Sequence, residues 1–327
     1  MAYQNTSAEF RPELQVKVEE AMAIDNKFIA EGIFPVFPVK TRKGYYKKVR
    51  RGKGQLMANP GTTAANDPLK RAPGTAYREI SRTTEQDSWL CVDRGLEESV
   101  DDVDKQEESR FFDLESSTAV WLMRNIRIAR EARAAAFTYN PDIWGVGYTG
   151  DVAFTEANIE TFDAPKALVA AAQIVDKRGE NANTLVMSRM LKDLILRSQL
   201  LRIYFFGISG GNAAITLDML AEKFGFEQIL VGAASYDTTK PGKDSTDANL
   251  TWTWNDRYMW VGNVVDGAPE MGGAGRTFML EDLTHGQLFL TETYRDEKIR
   301  CDRLRVRQDE EMNTVNECSG TLIQVNE

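Results

Sequence analysis

The pentapeptide Gly207-Ile208-Ser209-Gly210-Gly211 matches the G-x-S-x-G pattern of a serine nucleophile. In α/β-hydrolases this pattern holds the serine on a tight turn between a strand and a helix, and an acid and a histidine follow later in the chain. Strand-like residues, IYFF, come directly before Gly207, and the chain has one histidine, His285. Candidate acids in that chain order are Asp237, Asp244 and Asp256. A serine hydrolase using Ser209 is therefore one function to test.

The elements ahead of Ser209 argue against this chemistry. An α/β-hydrolase needs several βα units before its nucleophile, whereas this chain has a polar hairpin pattern and a long helical pattern there. We therefore expect a loop between two helices at Ser209, and no catalytic residue. The string GGAG at 272–275 lacks the Lys-Ser/Thr of a phosphate-binding loop, so we expect a turn there.

Cysteine and histidine usage disfavours metal and disulfide chemistry. The three cysteines are far apart and outside any C-x-x-C spacing: Cys91, Cys301 and Cys318. With a single histidine beside them, neither a zinc site nor a disulfide framework is indicated. We expect buried thiols, and we predict no metal site and no cofactor.

Length and composition predict a globular protein. The chain has 327 residues, 42% of them hydrophobic, which is enough for sizeable cores. It contains no apolar run of about 18 to 20 residues, and its first residues lack the basic start and apolar stretch of a signal peptide. These features predict a protein that is made and kept in a cytoplasm.

Charge is unevenly distributed along the chain. Residues 40–54, KTRKGYYKKVRRGKG, contain eight Lys or Arg and no acid, although the net charge of the whole chain is −9. A second segment, 97–108, is strongly acidic, with Lys105 as its local counter-charge. Tyr45 and Tyr46 could stack on nucleic-acid bases, but no nucleic-acid motif accompanies them and the net charge opposes a dedicated binder. A solvated hairpin face is the other simple interpretation, and it leaves the concentration of charge unexplained.

Two long elements dominate the first half of the chain. From Phe34 to about Val92, β-compatible flanks surround a middle rich in Gly, Pro and Asn, which predicts a long hairpin that needs a second surface to lie on. Asp113 is a credible N-cap for a helix of roughly 25 residues. The predicted buried face of this helix comprises Leu114, Thr118, Trp121, Ile128, Ala129, Ala132 and Ala136, while Arg127, Arg130 and Arg133 point elsewhere.

The second half predicts a compact α/β unit from about Gly150 to His285. Helices are expected after Asp163, Ser188 and Thr216, each of which is a good N-cap residue. Buried strands are expected at 183–188 and after Glu227, and strands with turn breaks in the tail.

Two phrases in this unit carry a resemblance to a known family. The first comprises Leu185, Val186, Met187 and Ser188, and the second comprises Phe224, Gly225, Phe226, Ile229, Val231, Gly232, Ala234 and Tyr236. With the order of elements along the chain, they resemble the major capsid proteins of tailed bacteriophages, which have the Hong Kong 97 fold. The resemblance covers nearly the full length of the chain, although the hairpin and the tail match only in their general residue composition.

The resemblance implies an α+β fold in four parts. These are an N-terminal arm, 1–34; an extended β-hairpin loop, 35–92; a peripheral domain with a long spine helix, 93–149 and 285–327; and an α/β axial domain, 150–284. It also implies self-assembly into the pentamers and hexamers of an icosahedral shell around double-stranded DNA. The implied partners are a portal, a separate scaffolding protein and decoration proteins, and the implied location is the virion, after assembly in the host cytoplasm. An encapsulin-type nanocompartment, which shares the fold, is the alternative.

The resemblance also suggests a role for the two charged segments. In the family the extended loop lies across a neighbouring subunit near its spine helix. We therefore expect a contact between basic residues of one subunit (Lys47, Lys48, Arg50, Arg51 and Lys53) and acidic residues of the next (Glu97, Glu98, Asp101, Asp102 and Asp104). A few relatives weld subunits by a Lys-to-Asn isopeptide bond, for which Lys53 or Lys70 and Asn313 or Asn316 have the right residue types.

Overall fold

A computed structural model of the protein describes residues 8–50, 67, 69–77, 79, 84–108, 113–207, 213–240, 242–281 and 287–326. Within these ranges no helix is long and apolar enough to cross a membrane. The described helices are α1 Pro12–Ile24, α2 Ala30–Ile33, α3 Asp102–Glu108, α4 Leu114–Thr138, α5 Pro141–Trp144, α6 Ala164–Lys177, α7 Arg189–Arg197, α8 Gln199–Phe206 and α9 Leu217–Phe224. The described strands are β1 Glu9–Phe10, β2 Val36–Val39, β3 Lys43–Lys48, β4 Glu85–Leu90, β5 Val92–Asp101, β6 Val146–Thr149, β7 Thr184–Ser188, β8 Gln228–Gly232, β9 Ser235–Asp237, β10 Leu250–Trp252, β11 Tyr258–Gly262, β12 Gly275–Leu280, β13 Leu290–Asp296, β14 Cys301–Thr314 and β15 Gly320–Gln324.

The first sheet has six strands and is organised around β14, the longest of the described strands. One edge of β14 pairs with β5 over ten residues, and its other edge pairs first with β13 and then with β12, all antiparallel. β1 and β2 extend the sheet beyond β13 and β12. Leu304 and Val306 alternate with Arg303 and Arg305 along β14, so its apolar side chains pack under α4 while the arginines face away.

The predicted helix cap at Asp113 is confirmed, but the predicted buried face of α4 is wrong except at Thr118, which is buried. The Asp113 carboxylate accepts a hydrogen bond from the Ser116 amide, and α4 runs for 25 residues. Trp121, predicted to be buried, is 56% exposed. Large side chains and several charged ones occupy the buried face instead, namely Leu122, Met123, Ile126, Arg127, Arg130 and Glu131. Leucine, methionine and isoleucine gain more than alanine by burial, so the alanines of the predicted face are the ones left in solvent.

The second sheet has five strands in the order β6-β15-β11-β7-β8 and forms the centre of the α/β unit. β7 and β11 are buried along their whole length, and α6 packs on the sheet. The predicted caps at Asp163, Ser188 and Thr216 are confirmed by hydrogen bonds from backbone amides to their side chains. The single helix predicted after Ser188 is two helices, because Ser198 leaves the helical conformation at ψ 126°.

The base of the extended loop is a two-stranded antiparallel ribbon, β3 and β4. It is attached to the first sheet by aromatic packing: Trp89 stacks on Phe278 with ring centroids 4.9 Å apart, and Tyr46 lies 5.2 Å from the same ring. Gly44 makes room for Trp89, because a Cβ at this position would lie 2.1 Å from Trp89 Cζ2. The ribbon therefore has the second surface that its sequence requires.

The domain boundaries expected from the sequence remain a prediction. β12 lies before residue 284 and belongs to the first sheet, while β6 and β15 belong to the second. A cluster of buried residues joins the two sheets, with Trp144, Trp254 and Trp260 among its members. All three cysteines are buried, as predicted, and burial raises the pKa of the Cys91 thiol to about 11.

Candidate functional site

Glu97 of the acidic segment is held by arginines of its own chain. β5 pairs with β14 so that Glu97 lies opposite Arg305. Arg305 Nη2 lies 2.9 Å from Glu97 Oε2, and Arg303 Nη1 lies 3.0 Å from Glu97 Oε1. These hydrogen bonds, first that of Arg305, lower the pKa of Glu97 below its usual range. Glu97 is thus an ionised member of a charged row on the face of the sheet opposite α4.

Asp102, at the start of α3, is engaged in a second intrachain pair. Arg295 donates two hydrogen bonds to its carboxylate, at 2.5 and 2.6 Å, and holds the pKa of Asp102 below its ordinary value. Lys105 of the same helix pairs with Glu115 and, at 3.2 Å, with Asp302. α3 is therefore fixed against the β13–β14 turn and the start of α4.

The other predicted acidic residues differ from these two. Asp101 accepts a hydrogen bond from the Val103 amide at 2.8 Å, which is a local helix-start contact. Glu98 and Asp104 are exposed and form no ion pair with any residue that the structure describes. Glu98 and Asp104 are thus the exposed carboxylates of this set that have no cationic partner among the described residues.

The described part of the basic segment also has intrachain partners. Arg50 Nε lies 2.5 Å from Glu85 Oε2, across the ribbon. Lys48 Nζ lies 3.3 Å from Glu317 and 3.7 Å from Asp87. Lys47 is exposed, with no ion pair inside the described ranges, and Arg51 and Lys53 lie outside the described residues. A single chain does not test the predicted contact between subunits, which stays a prediction.

Sequence reasoning missed a buried ion network between α4 and β14. Arg130 Nε lies 2.8 Å from Glu310 Oε2, and both side chains are almost fully buried. Arg133 binds the other oxygen of Glu310 at 2.7 Å, and Arg130 Nη1 reaches Glu31 at 3.0 Å. Buried charges at this density are stable only when paired. The sequence contained one signal for this network, the charged run AREAR at 129–133 within the predicted helix.

Glu131, the next residue on α4, joins three parts of the chain. Its Oε1 accepts hydrogen bonds from the Ile29 amide and Trp254 Nε1, both at 2.8 Å, and its Oε2 accepts one from the Ala30 amide at 3.0 Å. The arm, the long helix and the α/β unit therefore meet at one carboxylate. Burial raises the pKa of Glu131, and the three donors oppose that rise.

The structure contradicts the prediction that a strand leads into the Ser209 motif. The residues before Gly207 form helix α8, not the strand that a nucleophile elbow requires. Ser209 and His285 lie outside the described residues. Of the candidate acids, Asp237 is engaged locally, with Thr239 donating to it from both its amide and its hydroxyl group.

Both asparagine cross-link candidates have partners in the described part of the chain. Asn316 is buried, donates to Glu180 Oε1 at 2.6 Å and accepts from the Cys318 amide. Asn313 Nδ2 lies 3.4 Å from the Ser88 carbonyl oxygen. Lys70 is exposed, and Lys53 lies outside the described residues.

Comparison with solved structures shows the fold. No family model and no curated protein sequence matches the chain. A phage-related protein from Bordetella bronchiseptica RB50 is similar over 98% of both chains, with a TM-score of 0.69 and 21% identity. A chain described as a prophage capsid protein from E. coli CFT073 has a TM-score of 0.55 and 10% identity, over 98% of this chain and 99% of its own. A virus-like particle from Pyrococcus furiosus has a TM-score of 0.56 and 10% identity, over 96% and 98%.

These likenesses define a class of fold. The chain has the α+β Hong Kong 97 fold found in capsid proteins of tailed phages, as the resemblance of its sequence implied. At these identities the likeness extends to the fold, and function has to be argued from the surfaces of this chain.

Proposed function

We propose that this chain is a major capsid protein that self-assembles into the pentamers and hexamers of an icosahedral phage head. The observation that carries the proposal is the near end-to-end match with a shell-type fold, which spans 98% of this chain and 99% of a prophage capsid chain. The function is mechanical containment, with no turnover chemistry.

Projecting elements of the chain support assembly with other copies. All six residues of β9 and β10 are exposed, and this two-stranded ribbon presents Tyr236, Leu250 and Trp252 to solvent. An isolated two-stranded ribbon is marginally stable in water. Exposed aromatic side chains on such a ribbon favour a structure that is completed by a neighbouring subunit.

The four-part division of the chain belongs to the same proposal. The arm (1–34), the extended loop (35–92), the peripheral domain (93–149 and 285–327) and the axial domain (150–284) would take the places that these parts hold in phage shells. The particle would enclose double-stranded DNA, and a net charge of −9 suits a container that does not hold its cargo tightly. A portal, a separate scaffolding protein and decoration proteins would complete the head, assembled in the host cytoplasm.

The contact between charged segments is retained as a proposal with a narrower set of residues. Glu97, Asp102 and Arg50 already have intrachain partners. Lys47 of one subunit and Glu98 or Asp104 of the next have uncompensated charges, so they are the best candidates for a bond between copies. Exposed ion pairs contribute about 0.2 to 1 kcal/mol each. They would therefore determine the alignment of neighbouring subunits and the rate of assembly more than the total strength of the contact.

A nanocompartment that holds enzymes is the second candidate, favoured by the likeness to a virus-like particle. The contents of purified particles distinguish the two candidates. Particles from the native source that contain nuclease-protected double-stranded DNA support the phage head, and particles filled with a cellular enzyme support the compartment.

A serine hydrolase using Ser209 is testable in the same preparation. A fluorophosphonate probe should leave the protein unlabelled, because a helix leads into Gly207. Labelling that disappears in Ser209→Ala would contradict the structural assignment.

A further inference from the structure

Strand β5 has an unpaired edge, here called the β5 edge. β5 bonds to β14 along one side over ten residues, and no described strand pairs with its other side. Its backbone polar groups alternate between the two sides, because the N–H and C=O groups of one residue in an antiparallel pair point to the same neighbour. Every second residue of the strand therefore points to the β5 edge.

Two hydrogen bonds at the margins of the sheet identify those residues. The Asp102 amide donates to the Arg300 carbonyl at 3.4 Å, which continues the ladder between β5 and β14 and shows that even-numbered residues of β5 bond to β14. On the far side of the sheet, the Thr291 carbonyl accepts from the Arg11 amide at 3.3 Å, so Val306, which lies opposite Thr291, must bond to β5. Val306 lies opposite an even-numbered residue of β5, so both bonds give the same assignment. The residues that point outward are Asp93, Gly95, Glu97 and Ser99.

The β5 edge is accessible and long. All four outward residues are exposed, and none of their amide or carbonyl groups has a backbone partner among the described residues. From Asp93 to Ser99 the edge extends about 20 Å at 3.3 Å per residue. The register against β14 shows no bulge and the strand contains no proline, so two common protections of an edge strand are missing. Such an edge can receive another strand.

Strand β3 presents a second unpaired edge, here called the β3 edge. The Cys91 amide donates to the Arg42 carbonyl at 2.9 Å, at the end of the ladder between β3 and β4, so even-numbered residues of β3 bond to β4. The other residues of β3 point outward, are exposed and have no backbone partner in the described ranges. These residues are Lys43, Tyr45 and Lys47.

Both edges are fixed within their own chain. Val49, the next outward residue after β3, bonds to the Val315 carbonyl at 2.9 Å and to the Glu317 amide at 3.0 Å, and β5 is fixed by its ladder with β14. The β3 edge points away from β4, and a single residue, Cys91, connects β4 to β5. β3 therefore cannot turn onto β5 of the same chain, so pairing of the two edges requires two copies.

The charges of the two edges are complementary. β5 contains four acidic residues and one arginine, whereas β3, KGYYKK, contains three lysines and no acid. An acidic edge repels a second acidic edge, which disfavours pairing of β5 with β5 of another copy. The other described strands at sheet margins contain no Lys or Arg, namely β1, β2, β4, β6, β8, β9 and β10. Among the described strands, β3 therefore matches the charge of β5 best.

Side-chain partners favour a parallel addition. In a parallel pair, an outward residue of one strand lies opposite a residue of the other strand that bonds to its own sheet, so Lys47 can lie beside Glu98. In the same register Tyr45 lies beside Leu96, and these two side chains are 62% and 43% exposed. Glu98 has no cationic partner among the described residues. An antiparallel addition would instead face Glu97, whose carboxylate two arginines of its own chain already bind.

We propose that the β5 edge of one subunit receives the β3 edge of a second copy as a parallel strand. The inference rests on the proposed function and supplies the backbone geometry of its contact between charged segments. Lys43 lies opposite Arg94 in this register, and Glu311, 3.3 Å from that guanidinium, reduces the repulsion. Each subunit gives one edge and receives another, so the contact is heterologous and closes into a ring when the rotation between copies allows it.

A designed disulfide tests the register. Opposite residues of neighbouring strands lie about 5 Å apart at Cα, a distance that a disulfide can span. The double variant Tyr45→Cys/Leu96→Cys is oxidised after assembly and analysed on a denaturing gel without reductant. We expect a ladder of bands from dimer upward that disappears with reductant, because each copy is linked to two others. Tyr45→Cys/Ser117→Cys, with its second cysteine at an exposed position of α4, is the control and should remain monomeric.

Hydrogen exchange tests the backbone contact. The amides of Gly95, Glu97 and Ser99 should exchange at least about tenfold more slowly in particles than in the unassembled protein, because they gain strand partners. The amides of Leu96 and Glu98 are the internal control, since they bond to β14 in both states and should exchange at similar rates in both.

Two outcomes would overturn the inference. One is a gel of assembled Tyr45→Cys/Leu96→Cys particles with no band above dimer, and the other is unchanged exchange of the three outward amides. If closed shells form in either case, the proposed function stands and only the strand pairing fails. A protein that forms no oligomer would contradict both.

Discussion

Trp254 Nε1 donates a hydrogen bond of 2.8 Å to Glu131 Oε1, although 123 positions separate the two residues in sequence. Both side chains are almost fully buried, and the same carboxylate accepts the amides of Ile29 and Ala30. Arm, long helix and α/β unit are therefore held in one arrangement by a single acidic group. A shell subunit needs its parts at a fixed angle, so this contact is a structural requirement of the proposed function.

Glu131→Gln should destabilise the protein by about 2 kcal/mol. A glutamine keeps one acceptor oxygen, but its NH₂ group would face a donor, so at least one buried N–H is left unpaired, which costs about 1–3 kcal/mol. Chemical denaturation of the unassembled protein measures this free energy. Glu222→Gln, an exposed control on α9, should change it by no more than about 0.5 kcal/mol. Equal effects of the two variants would show that the contact does not stabilise the fold.

The raised pKa of Glu131 predicts a pH dependence of this difference. Burial places the pKa in the folded protein above the ordinary 4.5. The folded state therefore binds the proton of Glu131 more tightly than the unfolded state does. The stability that this group contributes is present below pH 4.5 and is lost as pH rises through the pKa of the folded state. The free energy of unfolding of the wild type minus that of Glu131→Gln should decrease as pH rises above 4.5 and should then level off. A difference that grows with pH in this window would contradict the assignment.

Gly44→Ala should loosen the base of the extended loop. The new Cβ would lie 2.1 Å from Trp89 Cζ2, so the indole must leave its stack on Phe278. Amides of β3 and β4 should then exchange hydrogen at least about fivefold faster, as expected for a loss of about 1 to 3 kcal/mol through overpacking. Lys43→Ala, at the exposed neighbouring position, should leave the exchange rates unchanged. Equal exchange rates in the two variants would mean that the stack does not fix the ribbon.

Charge exchange tests the proposed contact between subunits. Lys47→Glu should lower the rate of shell assembly and weaken its dependence on salt, because an attractive pair becomes repulsive. Combining it with Glu98→Lys should restore part of the rate. Lys243→Glu, on an exposed loop, is the control for net charge. If the double variant assembles no better than Lys47→Glu alone, these two residues do not face each other.

Local features of the fold could be predicted from the sequence. N-cap residues act through contacts within three positions, so Asp113, Asp163, Ser188 and Thr216 were recognisable without tertiary information. The length of α4 followed from its cap and from the Asn-Pro that follows it.

Long-range features could not be predicted in the same way. The buried face of α4 depends on Glu310 of β14, which provides the charge that makes Arg130 stable inside. The partner of Glu97 depends on the register of β5 against β14, more than 200 positions later. A prediction from the charges of the sequence alone therefore overestimated how many residues of the acidic segment lack an intrachain partner.

Electron microscopy of the protein expressed alone is the most direct test of the central claim. We expect closed shells, tubes or rings of five and six subunits, with the β9–β10 ribbon covered by a neighbour. A protein that remains monomeric across salt concentration and pH, with Tyr236 and Trp252 still exposed to solvent, would contradict it.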